Sequence, residues 1–203
     1  MPGIDDVRAG LRGPLGAARL VPLLACVAWV VRGDWGGAVT LGALAVALVA
    51  VGALRPPRGL DLAFVGVVLL PTAVELLGLY DRLSWIDSAI HALVPAVLAP
   101  LAYVLLARAG ALPWPGEPPG RWATVLLCVA LGAATGALWE LLEWTADSVT
   151  GSRLQEGLAD TNRDLLADAA GSLLGAVVLA LRPPARGSSP RTGAGPEALA
   201  DRH

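Results

Sequence analysis

Six long apolar segments constrain the fold of this chain more than any other feature of its sequence. They cover residues 18–31, 36–54, 60–79, 86–107, 122–144 and 165–181, and a helix needs about 20 mostly apolar residues to cross a bilayer. Because lipid offers the backbone no hydrogen-bond partners, such segments form helices or closed barrels. The period-two alternation that is typical of barrel strands is absent from the sequence. We therefore predict an all-α fold, a polytopic transmembrane helix bundle with about six spans.

The composition agrees with a membrane protein and gives no support to several other classes. Of the 203 residues, 55% are apolar and 16% are charged, against about 25% charged residues in soluble domains. The net charge of -2 gives no basis for nucleic-acid binding. Cys26 and Cys128 both lie in apolar segments, so we expect two small embedded side chains and neither a disulfide nor a metal pair. The expected partner is the lipid bilayer.

The arginines predict the orientation of the bundle. Residues 1–19, 55–59, 108–121 and 182–203 hold eleven of the fifteen basic residues, and the alternate connections hold four. By the positive-inside rule both termini lie in the cytoplasm, so we expect a multi-pass protein of the bacterial cytoplasmic (inner) membrane. The chain then divides into a cytoplasmic N-terminal segment (1–17), a six-helix transmembrane domain (18–181) and a disordered cytoplasmic tail (182–203).

Ten of the seventeen acidic residues gather around the ends of spans on the opposite, outer side of this topology, and only Asp61 lies at the inner end of a span. Asp87 and His91 are four residues apart, so they share a face of the fourth span. The outer set is Glu75, Asp81, Asp87, Glu140, Glu143, Asp147, Glu156, Asp160, Asp164 and Asp168. Since glycines let helix backbones approach closely, two mixed stripes predict a polar cleft among the third, fourth, fifth and sixth spans, opening outward. The stripes are Gly132, Gly136, Glu140, Glu143 and Asp147 on the fifth span, and Asp164, Asp168, Gly171 and Gly175 on the sixth.

These residue types suggest metal binding or acid–base chemistry. A charged side chain at the centre of a spanning helix costs about 2.5–3.5 kcal/mol, and neighbouring carboxylates repel unless some are protonated or a cation lies between them. A histidine with several carboxylates suits a divalent metal ion such as Zn²⁺, Mn²⁺ or Fe²⁺. The candidate metal ligands are His91, Glu140, Glu143, Asp164 and Asp168. The candidate catalytic acids and bases are His91, Glu140, Glu143 and Asp168.

Structural roles are open alternatives for some of these residues. Ser84-x-x-Asp87 and Thr161-x-x-Asp164 both match the capping box that starts a helix, so the two aspartates are equally well interpreted as caps. The glycine stripes are interpreted as packing surfaces alone.

The order of these motifs resembles a known family. Tyr80-Asp81-Arg82, Asp87-x-x-x-His91, Trp139-Glu140-x-x-Glu143-Trp144 and Asp160-Thr161-Asn162-Arg163-Asp164-x-x-x-Asp168-x-x-Gly171 are similar to the YjdF-type bacterial inner-membrane proteins and, more distantly, to the VanZ-like proteins. Glu143 and Asp168 stand where VanZ-like proteins have amides. The resemblance, over roughly residues 60–181, implies a multi-pass membrane protein whose activity is not established.

Three functions fit these features. The first is a cation-dependent or acid–base site acting on a lipid-linked or envelope substrate at the outer leaflet. The second is a non-catalytic membrane subunit in which the acids pack the bundle. The third is a cation- or proton-coupled transporter, for which only Asp61 could continue a path inward. No nucleotide-binding loop, serine elbow or paired-cysteine motif supports other chemistry.

Overall fold

The described part of the chain is entirely helical. A computed structural model describes residues 3–33, 35–151, 155 and 157–182, and in these ranges there is no strand. The seven helices are α1 (Ile4–Gly10), α2 (Gly13–Arg32), α3 (Trp35–Ala53), α4 (Arg58–Leu76), α5 (Ile86–Arg108), α6 (Arg121–Thr150) and α7 (Leu158–Ala180). Five of them, α2 to α6, are long and apolar enough to cross a membrane. The all-α, polytopic prediction is therefore confirmed, while most of the predicted tail, 183–203, lies outside the described residues.

The sixth predicted span lies within α7, which is not among those five helices. The first half of α7 carries four charged residues, Asp160, Arg163, Asp164 and Asp168. These charges make α7 too polar to qualify as a membrane span by composition. The helix nevertheless packs along both α5 and α6. A sixth crossing therefore stays a prediction.

Two groups of helices share the core. Helices α5, α6 and α7 all contact one another, α2 packs on α3, and α4 lies between the groups with its main contacts to α5. Buried core residues include Leu48 of α3, Phe64 of α4 and Tyr103 of α5. Both cysteines are free, as expected, and Cys128 is fully buried in this core.

Glycines allow α7 to approach its neighbours. A methyl group on Gly171 would lie 1.8 Å from the carbonyl oxygen of Ala92, and one on Gly175 would lie 2.1 Å from that of Ala96. Both distances are far below van der Waals contact, so α5 and α7 could not pack this closely with larger residues. The glycine stripe on α7 is thus a packing surface for α5.

Both predicted capping boxes are wrong. The N-cap of α5 is Trp85 and that of α7 is Gly157, and neither makes a side-chain capping bond. Because α7 begins at Leu158, Asp164 lies nearly two turns inside the helix and is 3% exposed.

Helix α2 begins five residues before the predicted boundary. It has a proline in its first turn, where the missing backbone N–H costs nothing because it would have no partner within the helix.

One buried ion pair joins the helices at the end of the bundle where α4 begins, which we call the basic end. Arg19 of α2, 2% exposed, pairs with Asp61 of α4. Its Nε donates to the carbonyl oxygen of Leu48 at 3.1 Å, and its Nη1 donates to that of Gly10 at 2.8 Å. A side chain at Gly52 would collide with the guanidinium. Arg19 thus connects α1, α3 and α4 from within the bundle and does not mark the start of a span.

Candidate functional site

Most of the predicted site residues lie at the other end of the bundle, where α5 and α7 begin and α6 ends. We call this the acidic end. Here four polar side chains are buried, with at most 7% of each exposed: His91, Glu140, Asp164 and Asp168. They come from three helices that contact one another, α5, α6 and α7. The predicted cleft included the third span, α4, which contributes none of these four side chains.

His91 and Asp168 form a buried hydrogen bond between α5 and α7. The distance between His91 Nδ1 and Asp168 Oδ1 is 3.2 Å. Asp168 fits here because residue 136 of α6 is a glycine, whose missing methyl group would lie 2.0 Å from Asp168 Oδ2. A carboxylate on one ring nitrogen fixes the orientation of the imidazole and leaves Nε2 available to a ligand.

Asp87, His91 and Asp164 form a group that could hold a metal ion. Each offers one ligand atom, and these atoms all lie within 4.8 Å of one another. Ligands 2.0–2.2 Å from a tetrahedral metal are about 3.4 Å apart, so small side-chain movements would bring the three atoms to a common ion. We call Asp87, His91, Asp164 and Asp168 the His91 cluster. Asp87 is not among the ligands predicted from the sequence, although its spacing from His91 places the two on one face of the helix.

Two carboxylate oxygens of the His91 cluster are buried without a hydrogen-bond partner among the described residues. They are Asp164 Oδ1 and Asp168 Oδ2. Leaving a buried acceptor unpaired costs about 1–3 kcal/mol, and more for a charged group. Several acids around one histidine give this end an excess of negative groups, which a bound cation would offset.

Glu140 lies near the same junction but has its own partner. Its Oε2 and its backbone oxygen both accept hydrogen bonds from Gln155 Nε2, at 3.1 and 3.2 Å. The backbone N–H of Gln155 donates to Asp147 Oδ2 at 3.0 Å. Sequence analysis missed Gln155, and no spacing signal could have found it because it precedes α7 outside any periodic segment. Glu140 is not part of the three-residue metal group.

Glu143 is half-buried and outside the metal group. It accepts a hydrogen bond from the indole Nε1 of Trp139 at 2.8 Å. Tyr80, in the connection between α4 and α5, lies near Glu143 and two other acids. Burial, followed by the charges of Asp87, Glu75 and Glu143, raises the pKa of Tyr80 from 10.0 to about 12. Tyr80 therefore keeps its hydroxyl proton at neutral pH and can donate it in a hydrogen bond.

The structure thus divides the predicted ligand set. His91, Asp164 and Asp168 come together and are joined by Asp87, whereas Glu140 pairs with Gln155 and Glu143 with Trp139. Such an arrangement offers one nitrogen and several carboxylate oxygens to a cation, with two further carboxylates nearby.

Comparisons with known proteins identify one relative and one family. A protein from Thermotoga maritima described as "Uncharacterized protein" is 32% identical over 98 residues, which are 48% of this chain and 48% of that protein. The chain therefore spans about half the length of this curated relative. No solved structure matches the chain. The model of the family described as "Predicted membrane protein (DUF2238)" matches residues 17–184, most of the chain. This protein therefore belongs to the DUF2238 family of predicted membrane proteins.

Proposed function

We propose that the His91 cluster binds a divalent metal ion and that the site carries out acid–base chemistry on a lipid-linked or envelope substrate. The observation that carries the proposal is the group of three ligand atoms from Asp87, His91 and Asp164, in which Asp164 is 3% exposed and its Oδ1 has no partner within the described ranges. A helix packed only for stability gains nothing from such an oxygen.

The donor set favours a transition metal over Mg²⁺ or Ca²⁺. Imidazole nitrogen suits Zn²⁺, Mn²⁺ or Fe²⁺, whereas Mg²⁺ and Ca²⁺ prefer oxygen alone. Asp168 would not need to contact the ion, because its bond to His91 Nδ1 already orients the ring. A Zn²⁺ ion held by these residues would supply Lewis-acid activation of water near neutral pH.

Glu140 and Glu143 are the proposed proton carriers. Both lie on the last turns of α6, near the cluster but outside the metal group. A general acid or base must be held within hydrogen-bond reach of its substrate. The bond from Trp139 to Glu143 and the bond from Gln155 to Glu140 hold the two carboxylates in place.

The arginine distribution supports placing this site at the outer face of a bacterial cytoplasmic membrane, with both termini inside. Membership of a membrane family is compatible with the YjdF-type resemblance. A transporter has less support, because the ion pair with Arg19 occupies Asp61, the acid that would continue a path. The rival with most support is a structural role, since the bond from His91 to Asp168 also joins α5 to α7.

Metal analysis of the detergent-purified protein tests the proposal. The comparison is wild type against Asp164→Asn, which removes a ligand, and Asp160→Asn, which changes a carboxylate one turn earlier that pairs with Arg163. We expect about one equivalent of metal in wild type and Asp160→Asn and little in Asp164→Asn. Adding Zn²⁺ or Mn²⁺ at 100 times its Kd should stabilise wild type and Asp160→Asn by about 2.7 kcal/mol. A metal-free wild type with no divalent-dependent melting would favour the structural role.

A further inference from the structure

A groove of about 240 Å³ lies between α4, α5 and α7 near the basic end of the bundle. Helices α4 and α7 both pack on α5 but barely touch each other, so a gap is left between them. The walls of the groove include Ala63 of α4, Val97 of α5, and Leu174 and Val178 of α7. Of the described residues around it, none belongs to the His91 cluster. The groove is therefore separate from the candidate metal site.

Most of the groove suits hydrocarbon. Apart from Arg182, every lining residue among those described is apolar or a glycine. Pro100 and Leu179 are buried within it, whereas Leu174 and Val178 on its edge are 64% and 50% exposed. Within a bilayer such a surface meets acyl chains, and a chain lying in the groove gains van der Waals contact with three helices. The apolar part of the occupant should therefore be an extended hydrocarbon chain.

The charged residue at the end of the groove is Arg182, which lies one residue beyond the C-cap of α7. Its backbone N–H donates to the carbonyl oxygen of Leu179 at 3.2 Å, so the start of its side chain is fixed next to the groove. The side chain is exposed and makes neither an ion pair nor a hydrogen bond with another described residue. Its guanidinium is therefore available to an anionic ligand.

The surroundings of Arg182 at this end are also positive. Helix α4 begins here with Arg58, which is exposed and likewise has no side-chain partner in the described ranges. Its neighbour Gly59 lines the groove, and a methyl group there would meet nothing within 4 Å, so this end is open. The first acid of α4, Asp61, is already paired with Arg19. A headgroup with net negative charge complements this end, whereas an ammonium group would be repelled.

From the apolar walls and the unpaired arginines we propose that the groove binds a phospholipid with net negative charge, of the phosphatidylglycerol type. The phosphate accepts hydrogen bonds from the guanidinium of Arg182, whose fork of donors matches a phosphate group. One acyl chain lies between Ala63 and Val178. The orientation expected from the arginines puts this end at the cytoplasmic leaflet, where anionic lipids concentrate negative charge. This binding does not depend on a metal ion at the His91 cluster.

Native mass spectrometry of the full chain in detergent tests the proposal. Phosphatidylglycerol and phosphatidylcholine with identical chains compete in equal amounts, and the ratio of the bound lipids is measured. An arginine near an anionic lipid contributes about 1 kcal/mol, or about fivefold in affinity, so Arg182→Gln should lower the ratio about fivefold. The matched control is Arg121→Gln, an exposed arginine at the start of α6 that does not line the groove, and it should leave the ratio unchanged. An unchanged ratio in Arg182→Gln, or an equal fall in both variants, would overturn the proposal.

A second pair of variants tests the apolar walls. Ala63→Phe fills the groove, whereas Ala47→Phe puts the same ring on an exposed position of α3 outside it. We expect Ala63→Phe to lose most of the bound phosphatidylglycerol and Ala47→Phe to keep it, and equal binding by the two would contradict the proposal. If Ala63→Phe fails to fold, Arg182→Gln still decides, because that side chain makes no contact that the fold needs.

Two other occupants have their own signatures. A wild-type dimer that Ala63→Phe converts to a monomer would show that a second copy of the chain fills the groove. Displacement of the lipid by inorganic phosphate at equal concentration would show that the apolar walls contribute nothing. Either result would overturn the proposal, whereas a monomer that keeps its lipid in the presence of phosphate would support it.

Discussion

Replacing Gly171 by alanine tests whether the close approach of α5 and α7 builds the site. The new methyl carbon would lie 1.8 Å from the carbonyl oxygen of Ala92 and 2.7 Å from its carbonyl carbon. An ordinary C···O contact is about 3.3 Å, so the helices must separate by about 1.5 Å here. The obstructing atoms are backbone and cannot rotate away.

The magnitude follows from two opposing effects. Overpacking costs about 1–3 kcal/mol, and a clash with backbone belongs at the upper end, about 3 kcal/mol. Alanine returns about 1 kcal/mol of helix propensity relative to glycine. The net loss is about 2 kcal/mol, or roughly 4–8 °C in melting temperature for a chain of this length. Since Ala92 follows His91, the bond from His91 to Asp168 should also lengthen from 3.2 Å. Loss of such an orienting bond weakens metal binding by about 10–100-fold.

The matched control is Gly66→Ala. Gly66 is an exposed glycine within α4, and a methyl group there would meet nothing within 4 Å. The Gly66→Ala variant should melt at or above the melting temperature of wild type and keep its metal. Unfolding by SDS titration gives the free energy, and metal analysis gives the occupancy. If Gly171→Ala were as stable as Gly66→Ala and retained its metal, the inference that α5–α7 contact builds the site would be refuted.

Two further perturbations follow from other contacts. Arg19→Met leaves Asp61 without its partner and should cost about 3 kcal/mol in the same SDS titration, the lower end for breaking a buried pair because the Asp61 side chain is 15% exposed. Adding Asp61→Leu should restore more than half of that loss, and simple additivity of the two changes would contradict the ion-pair account. In a spectrophotometric titration, the tyrosinate absorbance that Tyr80→Phe removes should appear only near pH 12, because the raised pKa keeps the phenol protonated through pH 10. A removable step near pH 10 would mean that Tyr80 is neither desolvated nor near the carboxylates.

The sequence predicts the spans well because their length is set by the bilayer. Segment 36–54 corresponds to α3, Trp35–Ala53, and segment 86–107 corresponds to α5, Ile86–Arg108. The prediction fails where a charge is buried by distant partners. The orientation argument counts Arg19 with the cytoplasmic charges of residues 1–19, but the structure buries it inside α2. The backbone oxygens of Gly10 and Leu48 and the carboxylate of Asp61 accept its hydrogen bonds there. Local hydropathy contains no information about such partners.

The site was predictable as a region and only partly as a set of residues. Helical spacing places Glu140 and Glu143 about 60° apart around α6, so both were assigned to one stripe. The structure buries the first and leaves the second half-exposed beside Trp139. The capping motifs also suggested the wrong helix starts, because a four-residue pattern cannot reveal that α7 begins at Leu158. Contacts between helices, and not the spacing within one, decide which acids meet.

The two ends of the bundle bury charge in different ways, and this difference argues against packing as the role of the acids. At the basic end all three guanidinium nitrogens of Arg19 donate hydrogen bonds, so the buried charge is matched within the described chain. At the acidic end Glu140, Asp164 and Asp168 each keep an oxygen without a partner among the described residues. A fold that needed these acids only to join helices would gain more from apolar side chains of similar volume. Three oxygens left unmatched on two adjoining helices, α6 and α7, are better explained by ligands that bring cations or hydrogen-bond donors to them.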